Sequence, residues 1–142
     1  MKALLDTCVL AEIRHPKGNP KVKSAVAKLE DEAIFLSALT LGEIAKGIAL
    51  LPEGTKKREL SEWLRGLDAL FSGRILPIDG ETAQLWGELT GRAQLQGVVI
   101  PGSDGLVAAT ALRNALTVWT RNTRHFAATG AMVFDPWEAA EA

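Results

Sequence analysis

Apolar residues along this chain fall into two alternating patterns. Five short runs, Lys2 to Asp6, Ala33 to Ser37, Arg74 to Ile78, Leu116 to Thr120 and Ala131 to Phe134, are apolar without strict alternation and are bounded by turn residues. Strands of that kind are covered on both faces, as in parallel sheets. Between them, apolar residues recur at three- and four-residue spacing. Asn19-Pro20 offers an N-cap and a first-turn proline ahead of Val22, Ala25, Val26 and Leu29. Leu41, Ile44, Ala45 and Ile48 form a second stripe, and Leu60, Trp63, Leu64, Leu67 and Phe71 a third. A helix opening after Asp79 and stopping near Gly97 would bury Ala83, Trp86 and Leu89. The last runs from about Asp104 to Asn114 through Leu106, Val107, Ala111 and Leu112. Strands separated by helices imply right-handed crossovers. The expected fold is therefore α/β, a three-layer arrangement with a mostly parallel sheet of four or five strands and helices on both faces. No repeat or linker divides the sequence, so residues 1–142 read as one domain.

Composition narrows the partners more than the fold. An apolar content of 47% is ample for a core, and a formal charge of −1 gives no global attraction to polyanions. Contact with nucleic acid would have to come from a local patch. The single Cys8 excludes an internal disulfide framework, the longest apolar runs are too short to span a bilayer, and the N-terminus lacks the apolar stretch of a signal peptide. A cytoplasmic protein with no membrane partner is expected.

Against that near-neutral background three acids stand out. Asp6 ends the first strand, Glu43 is expected in the first turn of the helix after the second, and Asp104 is expected to open the last long helix. In open parallel sheets, ligands collect beyond the carboxyl ends of the strands. Asp6 and Glu43 reach that edge directly. For Asp104, the preceding helix is expected to lead away from the edge, and the extended segment Val98-Val99-Ile100-Pro101 to climb back. Each acid also has an ordinary explanation: Asp6 as a helix cap, Thr40-Leu41-Gly42-Glu43 as a capping box, Asp104 as a first-turn charge on the helix dipole. Capping requires nothing of the neighbours, yet Gly47 and Ala108, one turn beyond Glu43 and Asp104, leave little bulk over either carboxylate. Three converging carboxylates repel one another unless a cation holds them ionised, and magnesium suits such hard oxygen donors.

The chain resembles the PIN-domain ribonucleases, specifically the VapC-type toxins of type II toxin-antitoxin systems. The resemblance spans essentially the whole chain. It rests on Leu4-Leu5-Asp6-Thr7-Cys8-Val9-Leu10, Thr40-Leu41-Gly42-Glu43-Ile44, Pro101-Gly102-Ser103-Asp104-Gly105-Leu106-Val107-Ala108-Ala109, Thr120-Arg121-Asn122-Thr123 with Phe126, and Asp135-Pro136-Trp137. It implies a PIN-like fold and a Mg²⁺- or Mn²⁺-dependent endoribonuclease restrained by a cognate antitoxin protein, with a homodimer or a toxin-antitoxin hetero-oligomer as its assembly. Asp6, Glu43 and Asp104 correspond to the family's core acids. Asn122 stands where many relatives have a fourth acid, and its weaker amide favours one firmly held ion over two.

The implied chemistry is metal-assisted hydrolysis of RNA, with Asp6, Asp104 and Glu43 as metal ligands and Thr120 and Asn122 orienting water or phosphate. Arg121, Arg124 and Lys46 are the candidate phosphate contacts; solvated surface charge is their plain alternative. His15 and His125 are not paired by any spacing and read as surface or rim residues. Trp63, Trp86 and Trp119 read as core, and Trp137 as folding the C-terminal segment back onto the body. Two other classes compete. A phosphatase with an Asp6 nucleophile lacks the second acid of Asp-x-Asp, since Thr7-Cys8 follows. A catalytically silent metal-binding PIN-like interaction module would carry the same acids and differ only in an assay.

Overall fold

The computed structural model describes residues 1–138. All five apolar runs become strands: β1 (Ala3–Leu5), β2 (Ile34–Ser37), β3 (Ile75–Leu76), β4 (Thr117–Trp119) and β5 (Val133–Phe134). They form one sheet in the order β3-β2-β1-β4-β5, with every neighbouring pair parallel. From β1 the chain fills one side of the sheet with β2 and β3, then returns to the other side for β4 and β5. The reversal lies at β1, so the crevice at its carboxyl end is where such a sheet gathers ligands. Asp6 is the next residue.

Side chains of alternate strand residues divide the core into two layers. Ala3, Leu5, Ile34, Leu36 and Trp119 pack with Val9 and Leu10 of α1 (Thr7–Arg14), Val22 and Val26 of α2 (Pro20–Ala27), and Leu67 of α4 (Thr55–Leu70). Leu4 and Val118 face the other way, against Val107, Ala108 and Ala111 of α6 (Gly102–Arg113). Burying one leucine or valine side chain stabilises by about 1.5–3 kcal/mol, so a sheet covered on both sides needs no polar face. Helices on both faces are as the sequence predicts.

Three local expectations differ. First, α3 spans Ala38–Ala49, with the Ser37 hydroxyl accepting from the Leu39 amide, so Glu43 lies in its second turn. The Thr40-to-Glu43 capping box does not form. Ser37 is the earlier and better-placed cap, and Thr40 is buried with its hydroxyl unpartnered among the described residues.

Second, α5 (Gly80–Leu95) does not lead away from the ligand edge. Arg113, at the end of α6, bonds Asp79 at the start of α5 and pairs with Glu81, while Gly105 near the start of α6 lies against Trp86 and Thr90. The two helices are an antiparallel hairpin sealed by Leu89, Ala93, Ile100 and Ala109. Residues 98–101 are its turn, already at the ligand edge, and have no climb to make.

Third, of the α5 residues expected in the core only Leu89 is buried: Ala83 is exposed, and Trp86 is 36% exposed, with its ring edge over Gly105. Trp119 is buried against Phe134, and Trp63 and Trp137 pack partly buried on the first core layer. Trp137 thereby pins the C-terminal segment as expected.

Candidate active site

Asp6 is the hub of the site. Its backbone amide extends the sheet by donating to the Trp119 carbonyl at 3.0 Å, which fixes the residue at the end of β1. One carboxylate oxygen caps α1, accepting from the Thr7 amide at 2.9 Å. The other accepts the Thr120 hydroxyl at 2.8 Å and lies 3.9 Å from the Cys8 sulfur. Asp6 is thus a helix cap and a site residue at once. A short charge-assisted bond of this kind holds the carboxylate in a fixed orientation.

Glu43 is tied to the same corner by Thr7, whose hydroxyl donates to its Oε1 at 3.1 Å. Thr7 therefore bridges two of the acids, one through its backbone and one through its side chain. Burial raises the Glu43 pKa above its ordinary value, the Thr7 bond lowers it, and the charges of Asp6 and Asp104 raise it further. Asp104 sits in the first turn of α6, with its Oδ2 2.9 Å from Nδ1 of His125. Its pKa is also raised, first by burial, against a lowering by His125 and with a smaller contribution from the charge of Asp6. The acids from three separated segments share one field.

Small neighbours explain only part of the opening over them. A Cβ on Gly47 would meet nothing within 4 Å, so that side of Glu43 is open. Ala108, in contrast, is fully buried against the sheet with Leu4. Its size serves the close approach of α6 to β1 and β4, not access to Asp104.

Thr120 is placed differently from its expected role. It is completely buried, and its hydroxyl is consumed by donating to Asp6 and accepting from the Asn122 amide at 3.0 Å. It positions Asp6 and leaves no free donor for water or phosphate. The Asn122 side chain makes no hydrogen bond among the described residues and is exposed, while its backbone carbonyl accepts from the His125 amide. Cys8 lies 3.7 Å from the Thr120 hydroxyl, and its pKa is raised chiefly by burial, so its thiol stays protonated beside Asp6.

The basic residues divide. Arg121 lies over the Trp137 ring at 5.2 Å, a cation–π contact that holds it toward the C-terminal segment. Arg124 is exposed and lines a cavity with His125, and Lys46 is exposed one turn beyond Glu43. Neither has an ion pair among the described residues. His15 is a surface residue whose Nδ1 accepts from the Lys17 amide. His125 and Thr7 are neighbours of the acids that their sequence positions conceal.

The donor set suits a hard cation. No three His, Cys, Asp or Glu groups among the described residues stand close enough to clasp an ion directly. Instead Thr7 ties Asp6 to Glu43, and His125 lies against Asp104. Magnesium is reluctant to shed water and is held through one or two carboxylates with its remaining positions hydrated, so an open group of three oxygen-bearing acids fits it.

Residues 3–131 match the family model described as the PIN domain. Toxin FitB of Neisseria gonorrhoeae is 42% identical over 135 residues, covering 94% of this chain and 97% of FitB. VapC ribonuclease Y4jK of Sinorhizobium fredii is 34% identical over 139 residues, covering 96% of this chain and 99% of its own length. Among solved structures, the crystal structure of FitAcB from Neisseria gonorrhoeae superposes with a TM-score of 0.91 at 40% identity, covering 96% of this chain and 99% of that one.

Proposed function

The chain belongs to the PIN-domain family, with a toxin and a VapC ribonuclease among its relatives, and we propose that it is a Mg²⁺- or Mn²⁺-dependent endoribonuclease toxin. The observation that carries this reading is geometric: Thr7 ties Asp6 to Glu43 where strand order reverses, and Asp104 stands in the first turn of α6, which packs against β1 and β4. Asp6, Asp104 and Glu43 would hold the ion. When bound, it supplies charge neutralisation for the phosphate and a water of lowered pKa. Glu43 would hold the attacking water and take up its proton. Asn122 offers its free amide to water or phosphate. Arg124 and Lys46 grip the RNA backbone, joined by Arg121 when it leaves the Trp137 ring.

A toxin must be restrained in the cell that makes it. We therefore include a cognate antitoxin protein as partner, acting in the cytoplasm; no helix of the described residues is long and apolar enough to cross a membrane. The proposed assembly also includes a homodimer, which a mass measurement in solution tests.

The test is cleavage of a mixed RNA pool by purified protein with Mg²⁺ or Mn²⁺. Asp6→Asn or excess chelator should lower the rate at least about 100-fold, since metal assistance is worth several kcal/mol. Cleavage that survives both would refute the mechanism. A second reading, a silent metal-binding module, carries the same acids and predicts ion binding to the parent chain with no cleavage at all.

A further inference from the structure

A cavity of about 460 Å³ opens between the turn of the α5–α6 hairpin, residues 98–101, and the 3₁₀ turn after β4. That volume is in the range of about 300–1,000 Å³ typical of small-molecule sites. One wall is apolar from Val98 to Pro101, and the facing wall carries Ala128 with Arg124 and His125. The cavity shares His125 with the catalytic acids, because the same imidazole lies 2.9 Å from Asp104. Asp104 also follows the turn by three residues, from the helix that Pro101 begins. A group seated here would therefore lie beside a phosphodiester held at the acids.

Its lining suits one occupant. Val99 is 86% exposed, an apolar side chain at the ligand edge with nothing over it. Arg124, without an ion pair among the described residues, adds a flat donor-rich cation at the rim. Apolar walls cover the faces of a nucleobase, the guanidinium meets a base edge or the adjoining phosphate, and single-stranded RNA presents bases that can be turned out of the stack. An apolar protein side chain would use the walls and leave Arg124 unanswered. We infer that this cavity is a nucleoside subsite, receiving the base adjacent to the scissile phosphate and setting the base preference of cleavage. The inference rests on the endoribonuclease reading above.

The experiment fills the cavity from opposite walls with Val99→Trp and Ala128→Trp. Cut positions on a randomised RNA pool are mapped by sequencing, alongside Mn²⁺ binding, melting temperature and size-exclusion mass. Val99 is on the surface, so its variant serves if Ala128→Trp does not fold. Both variants should bind Mn²⁺ like the parent yet change the frequency of the favoured base at one position beside the cut, by about tenfold, the scale of one lost base contact. An unchanged base distribution overturns the subsite while leaving the endoribonuclease intact. An unchanged distribution with a loss of oligomer also overturns it and assigns the cavity to a second copy. No cleavage by the parent chain in either metal overturns both readings together.

Discussion

Glu43 is where function opposes the fold at a single residue. Burial and the charges of Asp6 and Asp104 hold its pKa above the ordinary value, as burial does for Asp104. A carboxyl with a raised folded-state pKa binds protons more tightly in the folded protein. Its contribution is therefore most favourable below the unfolded pKa and is lost as pH rises through the folded one. At neutral pH both groups destabilise the ion-free chain. Glu43→Gln removes one charge and keeps an acceptor for Thr7; because Glu43 is exposed, solvent screens much of the effect, so in chelator the variant should melt no lower than the parent near pH 7, with any gap closed by about pH 4. Calorimetry across that range decides it, and a parent more stable than the variant at neutral pH contradicts the electrostatic account. Thr120 makes the opposite contribution. Thr120→Val leaves a buried carboxylate oxygen and the Asn122 amide short of a partner, at a cost of about 1–3 kcal/mol. Urea denaturation should show that loss together with weaker Mn²⁺ binding, and Thr120→Ser should restore both. At this scale Asp6 and Asp104 were legible in the sequence because each lies where an element begins or ends, whereas Glu43, in the second turn of α3, was legible through the family resemblance. Their tethers were not: Thr120 was named as a site residue but not as a tether, and Thr7, Thr120 and His125 take these roles from partners 36, 114 and 21 positions away, which no local pattern encodes.

The α5–α6 hairpin carries Asp104, so its packing sets where that acid stands. Gly105 lets the helices touch: a Cβ there would lie 2.9 Å from Trp86 Cδ1 and 3.1 Å from Thr90 Cγ2. Gly105→Ala gains about 1 kcal/mol of helix propensity, against an overpacking cost of about 1–3 kcal/mol. Because Trp86 is partly exposed and can yield, the expected net effect is a loss of about 1 kcal/mol, visible as a shift in the thermal midpoint and a changed tryptophan fluorescence. Combining it with Trp86→Ala should cost less than the two singly. Additive effects would mean that the contact is not shared. The helices themselves were readable from apolar spacing, and the strands from short apolar runs. The direction of α5 was not readable, because it follows from packing against α6, where Leu89 and Ala93 meet Ala109, with Arg113 reaching Asp79 and Glu81 across more than thirty residues. The sequence expectation sent α5 away from the ligand edge and assigned residues 98–101 a return path. In the folded chain those residues are a turn and form a wall of the cavity.

Across the whole molecule, a net charge of −1 leaves substrate attraction to a few cations near the ligand edge. The parallel α/β plan and the edge that gathers ligands follow from general rules about buried strands and strand order, which is why both were legible. Which cations are available was not, since Arg121, although exposed, also lies over the Trp137 ring, while Arg124 and Lys46 have no such contact among the described residues. Each phosphate neutralised on a single strand contributes a slope of about −0.7 to the dependence of log affinity on log salt. Two available cations then imply a slope of about −1.4 for RNA binding to the inactive Asp6→Asn protein, and three, with Arg121 released, about −2. Fluorescence anisotropy over a salt series distinguishes them. Arg124→Gln should flatten the slope by about 0.7, and Trp137→Ala, which frees Arg121, should leave it at the steeper value. A slope beyond about −4 would exceed what these residues supply and would move the RNA path toward the basic start of α4, at Lys56, Lys57 and Arg58.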